Sequence, residues 1–358
     1  MNKRIIGLDV ARALAVIGMI VVNFKVVFGD AGEGWVKSIA GIFEGKAAAT
    51  FVVLAGVGIA LMANKSVQNT DIVKLRTIQK TILKRSLFLF AIGISYIVIW
   101  PADILHYYGV YMAITVLLIG SKERTLLITA FALILIFPLL LGFWNYETAW
   151  DFKTLDYDGF WTISGFTRNL FFNGFHPVIP WTSFMLFGYW FGKQDLRSAA
   201  FVKKTFWISS IIFILIQSLS LFFIQYLSEG NPSVAAELKD VLGTSPMPPL
   251  PLYMFSGTAI AFSVISACIL LANKFENTFV IDALVKTGQL ALTFYVAHVI
   301  IGMGIIEALD PAKMGAYSIE FSLSYAFIFS LFCIIFALLW RKNNPSGPLE
   351  WLMRKVTG

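Results

Sequence analysis

The sequence predicts an all-α, polytopic integral membrane protein of about ten transmembrane helices, with both termini cytoplasmic. Three observations carry this. Hydrophobic residues fill 58% of the 358 positions and charged ones only 14%, whereas a soluble chain is about one-quarter charged; mean hydropathy is +0.76. Apolar runs of ~17–25 residues, long enough to cross a bilayer, recur along the whole chain. With the N-terminus inside, twenty of the 28 Lys and Arg fall in inner segments and seven in outer ones, Arg12 lying within a span. That asymmetry is the positive-inside pattern, and it explains the net charge of +7 better than nucleic-acid binding does.

The runs are 5–28, 47–63, 81–100, 104–120, 125–145, 178–192, 205–228, 251–273, 287–308 and 319–340, read as one domain over 1–358. In the first, Asp9, Arg12 and Asn23 interrupt apolar sequence. An acid or arginine within the bilayer costs a few kcal/mol, so such groups face a protein interior. Asp9 and Arg12, three apart, share a helix face, and Asn23 returns near that face about 16 Å further on. The alternative is a polar stripe that glues helices together, and Asp9 is equally suited to be an ion-pair partner for Arg12. The second run holds Gly56 and Gly58 and the sixth Gly188 and Gly192, read as close helix contacts. Between the second and third, the basic inner segment 64–85 is helix-compatible and suits an anionic cytoplasmic surface, or simply sets orientation.

The outer loops are 29–46, 146–177 and 229–250. The second is long, aromatic and polar, a kind of loop that tends to be functional. In the third, Pro232, Pro246, Pro248 and Pro249 predict ordered turns rather than helix. Cys268 and Cys333 sit in apolar runs and read as small hydrophobes. No disulfide or zinc spacing exists, and no metal is expected. Neither a cleavable signal nor an internal repeat stands out.

All three histidines lie in or beside spans: His106 at the outer start of the fourth, His176 at the outer start of the sixth, His298 near the middle of the ninth. Each suits a general base or acyl carrier, or a plain interhelical hydrogen bond. Asn23, Asp30, Glu33, Asp103, His106 and His176 map to the outer half, and Asp9 and Arg12 to the inner half. This distribution suggests a polar passage through the bundle. A guanidinium at Arg12 suits a phosphate-bearing donor arriving from the cytoplasm. No phosphate-cradling glycine loop and no serine–histidine–acid order is present.

The opening segment Gly7-Leu8-Asp9-Val10-Ala11-Arg12-Ala13-Leu14, with Val22-Asn23, resembles the first helix of the heparan-alpha-glucosaminide N-acetyltransferase family and of the YeiB-like bacterial membrane proteins. Both are branches of the transmembrane acyltransferase superfamily. Ala48–Leu61, Asp103–Gly109, Phe175–Gly188 and Ala291–His298 extend the resemblance over nearly the whole chain. It implies a ten-helix acyltransferase of the bacterial cytoplasmic membrane. The enzyme would move an acyl group, usually acetyl, from cytoplasmic acyl-CoA to an extracytoplasmic acceptor such as an amino sugar or other envelope glycan. By the same resemblance Asn23 holds the acyl thioester, and Asp9 and Arg12 order the donor site. The family's catalytic histidine, in the loop after the first helix, has no counterpart in 29–46, where Gly34 precedes Trp35. His176 and His106 therefore become the candidate bases. The expected partners are the lipid bilayer and a glycan or small-molecule acceptor, with a homodimer as an option and no nucleic acid. The competing reading is a small-molecule, sugar-related permease using the same passage without chemistry.

Overall fold

The computed structural model describes residues 4–152 and 154–358 and is almost wholly helical. The helices are α1 (Gly7–Phe28), α2 (Gly34–Gly41), α3 (Lys46–Gln68), α4 (Ile72–Tyr96), α5 (Leu105–Leu117), α6 (Glu123–Leu141), α7 (Ile163–Arg168) and α8 (Val178–Lys193). They continue as α9 (Ala199–Ser228), α10 (Pro232–Leu242), α11 (Pro251–Lys274), α12 (Phe279–Gly288), α13 (Ala291–Ala297), α14 (Gly304–Leu309), α15 (Ile319–Trp340) and α16 (Pro348–Thr357). Among the described residues, seven helical segments are long and apolar enough to cross a membrane: α1, α2–α3 taken together, α6, α9, α11, Ala291–Leu309 and α15. The other predicted runs are helical too, but α5 and α8 are shorter and α4 carries Lys74, Arg76, Lys80, Lys84 and Arg85 within its first fourteen residues.

Helix α1 is the organising element. At 1.5 Å per residue its 22 residues span about 33 Å, and it packs against α3, α11, α12 and α15. Its C-terminus needs Gly29, at φ +130°, because a Cβ there would lie 2.4 Å from the Tyr317 carbonyl oxygen. That close approach lets Tyr317 N donate to Phe28 O and Ser322 Oγ to Gly29 O, tying α1 to the start of α15.

Helix α3 is buried deeply against α8 through the predicted glycines. A Cβ on Gly56 would meet Met185 O at 2.0 Å, and one on Gly188 would meet Val53 O at the same distance. Gly192 packs on Val57 and Ala60. Gly58 is different: a Cβ there would meet nothing nearer than Arg12 Nη2 at 3.7 Å, so it borders a cavity rather than a helix contact. At the other extreme α9 is only 11% buried over its most apolar stretch. Its exposed Ile, Leu and Phe side chains form an outward face.

The basic stretch 64–85 is helical: its first residues finish α3, and the rest opens α4, started by Asp71, whose side chain accepts from Lys74 N. One local expectation is corrected. Residues 229–250 contain a true helix, because Pro232 stands at the first helical position, where its missing N–H costs nothing. Asn231 caps that helix by accepting from Ser233 N. The loop 146–177 folds into a two-residue hairpin (β1, Trp150–Asp151; β2, Asp156–Tyr157), then α7 and a π-helical turn over Asn169–Asn173.

Candidate functional site

Two clusters of functional side chains lie next to each other. The first is a cavity of about 600 Å³ beside the N-terminal half of α1. Asp9 fixes its two nearest cations: Arg4 reaches both carboxylate oxygens at 2.7 and 2.9 Å, and Arg12 Nη1 donates to Oδ1 at 2.7 Å. The ion-pair role expected for Asp9 is therefore occupied, while Arg4 and Arg12 still border the cavity together with Arg85, Arg197 and Arg354. Among the described residues two carboxylates line it, Asp9 and Glu350. Glu350, on α16, accepts from Leu292 N, Thr293 N and Thr293 Oγ1, and so caps the open N-terminus of α13. Burial pushes the Glu350 carboxyl above its ordinary value, and the bonds from Thr293 pull against that shift.

Helices α12 and α13 are interrupted at Gln289 and Leu290, which sets Gln289 on the cavity wall with its Oε1 buried and without a hydrogen-bond partner. Further in, the wall turns apolar and aromatic through Leu54, Leu89, Leu105, Phe51 and Tyr108. Such a cavity, cationic at one end and apolar at the other, suits an elongated ligand with phosphates on one end.

The second cluster backs directly onto that inner wall. Phe51 stacks on Tyr295 with ring centroids 6.4 Å apart, and Tyr295 OH donates to Asp103 Oδ1. Asp103 stands in the corner between α4 and α5, with no solvent exposure. It accepts from Tyr96 OH at 2.5 Å and, through Oδ2, from both His106 N and His106 Nδ1 at 3.1 and 3.0 Å. Gly93 makes the corner possible, because a Cβ there would come within 2.4 Å of His106 N and 2.5 Å of Asp103 Oδ2. The geometry holds one ring nitrogen of His106 and leaves Nε2 buried and unpartnered. An imidazole oriented in this way by a carboxylate is the arrangement general-base catalysis uses.

His176 lies on the far side of α5. Its backbone carbonyl accepts from Tyr111 OH, its ring packs edge-on against Trp181 at 4.6 Å, and its Nδ1 is buried without a partner. Tyr107 bridges the two histidines: its ring is 3.8 Å from that of His106 and 6.0 Å from that of His176. The loop 146–177 braces this region. Tyr107 OH donates to Asn169 Oδ1, and Asn173 joins Tyr157 to Tyr146 and Thr148. The polar residues of that loop are thus mostly structural.

Asn23 meets a residue that the sequence gives no way to pair with it. Its Nδ2 donates to His298 Nε2 at 2.8 Å, across 275 positions of chain. His298 opens a π-helical turn, His298–Met303, between α13 and α14, and its ring sits 5.1 Å from Tyr295. Extra-wide turns of this kind favour functional positions. Asp30 and Glu33, by contrast, are exposed and stand apart from the histidines; Asp30 lies 3.9 Å from Lys25, which also pairs with Glu44. Asn23 does not line the cavity that holds Arg12, so the polar stripe of α1 does not face one continuous cavity. Among the described residues, no three His, Cys, Asp or Glu side chains are placed to share a metal ion.

Sequence reasoning missed His298 as a partner for Asn23, as well as Arg85, Arg197, Arg354, Glu350 and Gln289. The arginines were visible only as inner-side charge. Residues 4–227 match the family model described as heparan-alpha-glucosaminide N-acetyltransferase, catalytic, and residues 189–358 match the one described as protein of unknown function (DUF418). No curated protein matches the chain.

Proposed function

The chain belongs to the heparan-alpha-glucosaminide N-acetyltransferase catalytic family, whose model covers more than half of it, and on that premise we propose a membrane-embedded acyltransferase that carries acetyl from cytoplasmic acyl-CoA to an extracytoplasmic acceptor, an amino sugar or other envelope glycan. The observation that supports this best is the adjacency of the arginine-lined cavity to the Asp103–His106 pair, with Phe51, Leu105 and Tyr108 as their shared wall. In this reading the arginines hold the phosphates of the donor, and the apolar inner end takes its pantetheine arm and acyl group. Gln289, with its amide oxygen unpartnered, suits the amides of that arm.

His106 is the base. Its Nε2 takes the proton from the acceptor amine or hydroxyl as that atom bonds to the acyl carbon. The carbon–sulfur bond breaks, and the proton is handed on to the departing thiolate. Asp103 keeps the proton of His106 on Nδ1 and stabilises the imidazolium that forms. His106 is preferred to His176 because only His106 has a carboxylate orienting its ring. Asn23, which lies outside the arginine-lined cavity, would polarise the acyl oxygen only as the acyl group passes beyond that cavity toward the acceptor, and His298 holds the Asn23 amide in place. The same reading sets both termini in the cytoplasm and the protein in a bacterial inner membrane.

The test is transfer of radiolabel from acetyl-CoA by membranes carrying the protein, and binding of acyl-CoA by the purified protein. Binding and slow deacylation are expected. A protein that ignores acyl-CoA yet moves a sugar across vesicle membranes is a permease.

A further inference from the structure

Arg85 and Arg354 come from different parts of the chain, α4 and the C-terminal helix α16, and both border the same cavity. These helices pack together, which brings both guanidinium groups to the cavity. Among the described residues neither finds an anion there. Of the two carboxylates lining the cavity, Asp9 is taken by Arg4 and Arg12, and Glu350 is taken by the N-terminus of α13. Arg85 Nε is buried with no hydrogen-bond partner, and Arg85 Nη1 meets only the weak acceptor Met62 Sδ at 3.6 Å. A buried donor left unmade is costly, and two like charges held together add to that cost. A phosphate between them removes both costs, since each guanidinium matches phosphate oxygens with two parallel donors. Glu350 sits one turn before Arg354 on α16 and anchors that turn to α13, which sets the exposed Arg354 at the border of the cavity.

We propose that Arg85 and Arg354 form a clamp for a phosphate group of a nucleotide, which makes the C-terminal helix part of the donor site. The clamp rests on the acyl-CoA reading only for the identity of that nucleotide.

The experiment uses the full-length protein purified in detergent, with R85Q, R354Q and the double variant, and measures binding of CoA, ADP, inorganic pyrophosphate and pantetheine by calorimetry. CoA is expected to bind the wild type and to weaken roughly tenfold or more in each single variant, the loss expected for a hydrogen bond to a charged group. The double variant should be little worse than the weaker single one, because both arginines hold one phosphate. Pantetheine, which has no nucleotide, should bind all forms alike. If R85Q does not fold, R354Q on an exposed helix decides alone. Wild type that refuses CoA but binds ADP or pyrophosphate, with the same loss in the variants, keeps the clamp and removes the acyl-CoA reading. A single variant that binds CoA as the wild type does overturns the clamp and leaves that reading standing. Wild type that binds none of the three phosphates overturns the clamp outright.

Discussion

Two aspartates invite comparison, because local sequence makes them look alike. Asp9 pairs with Arg12 and Asp103 with His106, each at a spacing of three. Each is shielded from solvent, at 1% and 0% exposure. Each also lies under a glycine of a neighbouring helix: a Cβ on Gly288 would fall 1.8 Å from Asp9 O, and one on Gly93 would fall 2.5 Å from Asp103 Oδ2. The difference lies in the remaining partners. Asp9 is held by two permanent cations at the rim of an open cavity. Asp103 is held by two tyrosine hydroxyls and an imidazole, with no guanidinium or ammonium among its partners. A carboxylate among arginines organises charge for a ligand. A carboxylate among neutral donors organises a proton. One local motif thus serves two chemistries, and the packing around it decides which.

The widest separation between the two sites should come from the histidine. His106→Ala is expected to lower acyl transfer by about 10²–10⁴-fold, the usual contribution of a positioned base, with expression and donor binding intact. His176→Ala should cost much less. Equal activity of His106→Ala and wild type in the radiolabel assay would remove the proton-handling side of the comparison. Next in size are the two glycines. Gly93→Val and Gly288→Val should each lower stability by about 1–3 kcal/mol, as overpacking does, read from thermal unfolding in detergent. Only the first should also reduce the rate with saturating donor, because it displaces the His106 corner.

Asp9→Asn should cost no more than about 2 kcal/mol, because Arg4 and Arg12 keep partial access to water. Its signature is expected in the donor KM and in that KM's salt dependence, with kcat nearly unchanged. A fall in kcat alone would mean that Asp9 and Asp103 do not have separate tasks. The smallest effect belongs to Glu350→Gln, expected within about 1 kcal/mol of wild type, since it removes a charge held above its ordinary pKa and keeps an acceptor for the α13 N-terminus. Glu350→Ala should be clearly worse by the same unfolding measurement.

Much of the inner site was legible. Asp9 and Arg12 share a face because three residues of helix bring them together wherever the helix lies, and the helical close contacts of Gly56, Gly188 and Gly192 follow from small-residue spacing. Asp103 and His106 were both noted, but their pairing depends on a tight corner that Gly93, on another helix, permits. Gly58 has the same sequence context as Gly56 and yet faces a cavity. Pro232 looked like a helix breaker and is a helix starter, because only its position within the turn separates the two roles. The loop 29–46 contains no histidine, and the imidazole beside Asn23 comes instead from His298, 275 positions away.

By itself, then, the sequence determined the membrane-embedded, all-α character of this protein and the polar face of its first helix. Hydropathy and the 3.6-residue period act over a few turns and need no partner. The tertiary structure alone decided which histidine stands by Asn23, that Tyr96 and Tyr295 converge on Asp103, and that the last helix brings Glu350 and Arg354 to a cavity opened by the first. Those contacts join distant segments, and their geometry depends on how closely whole helices approach, which single glycines and helix breaks control.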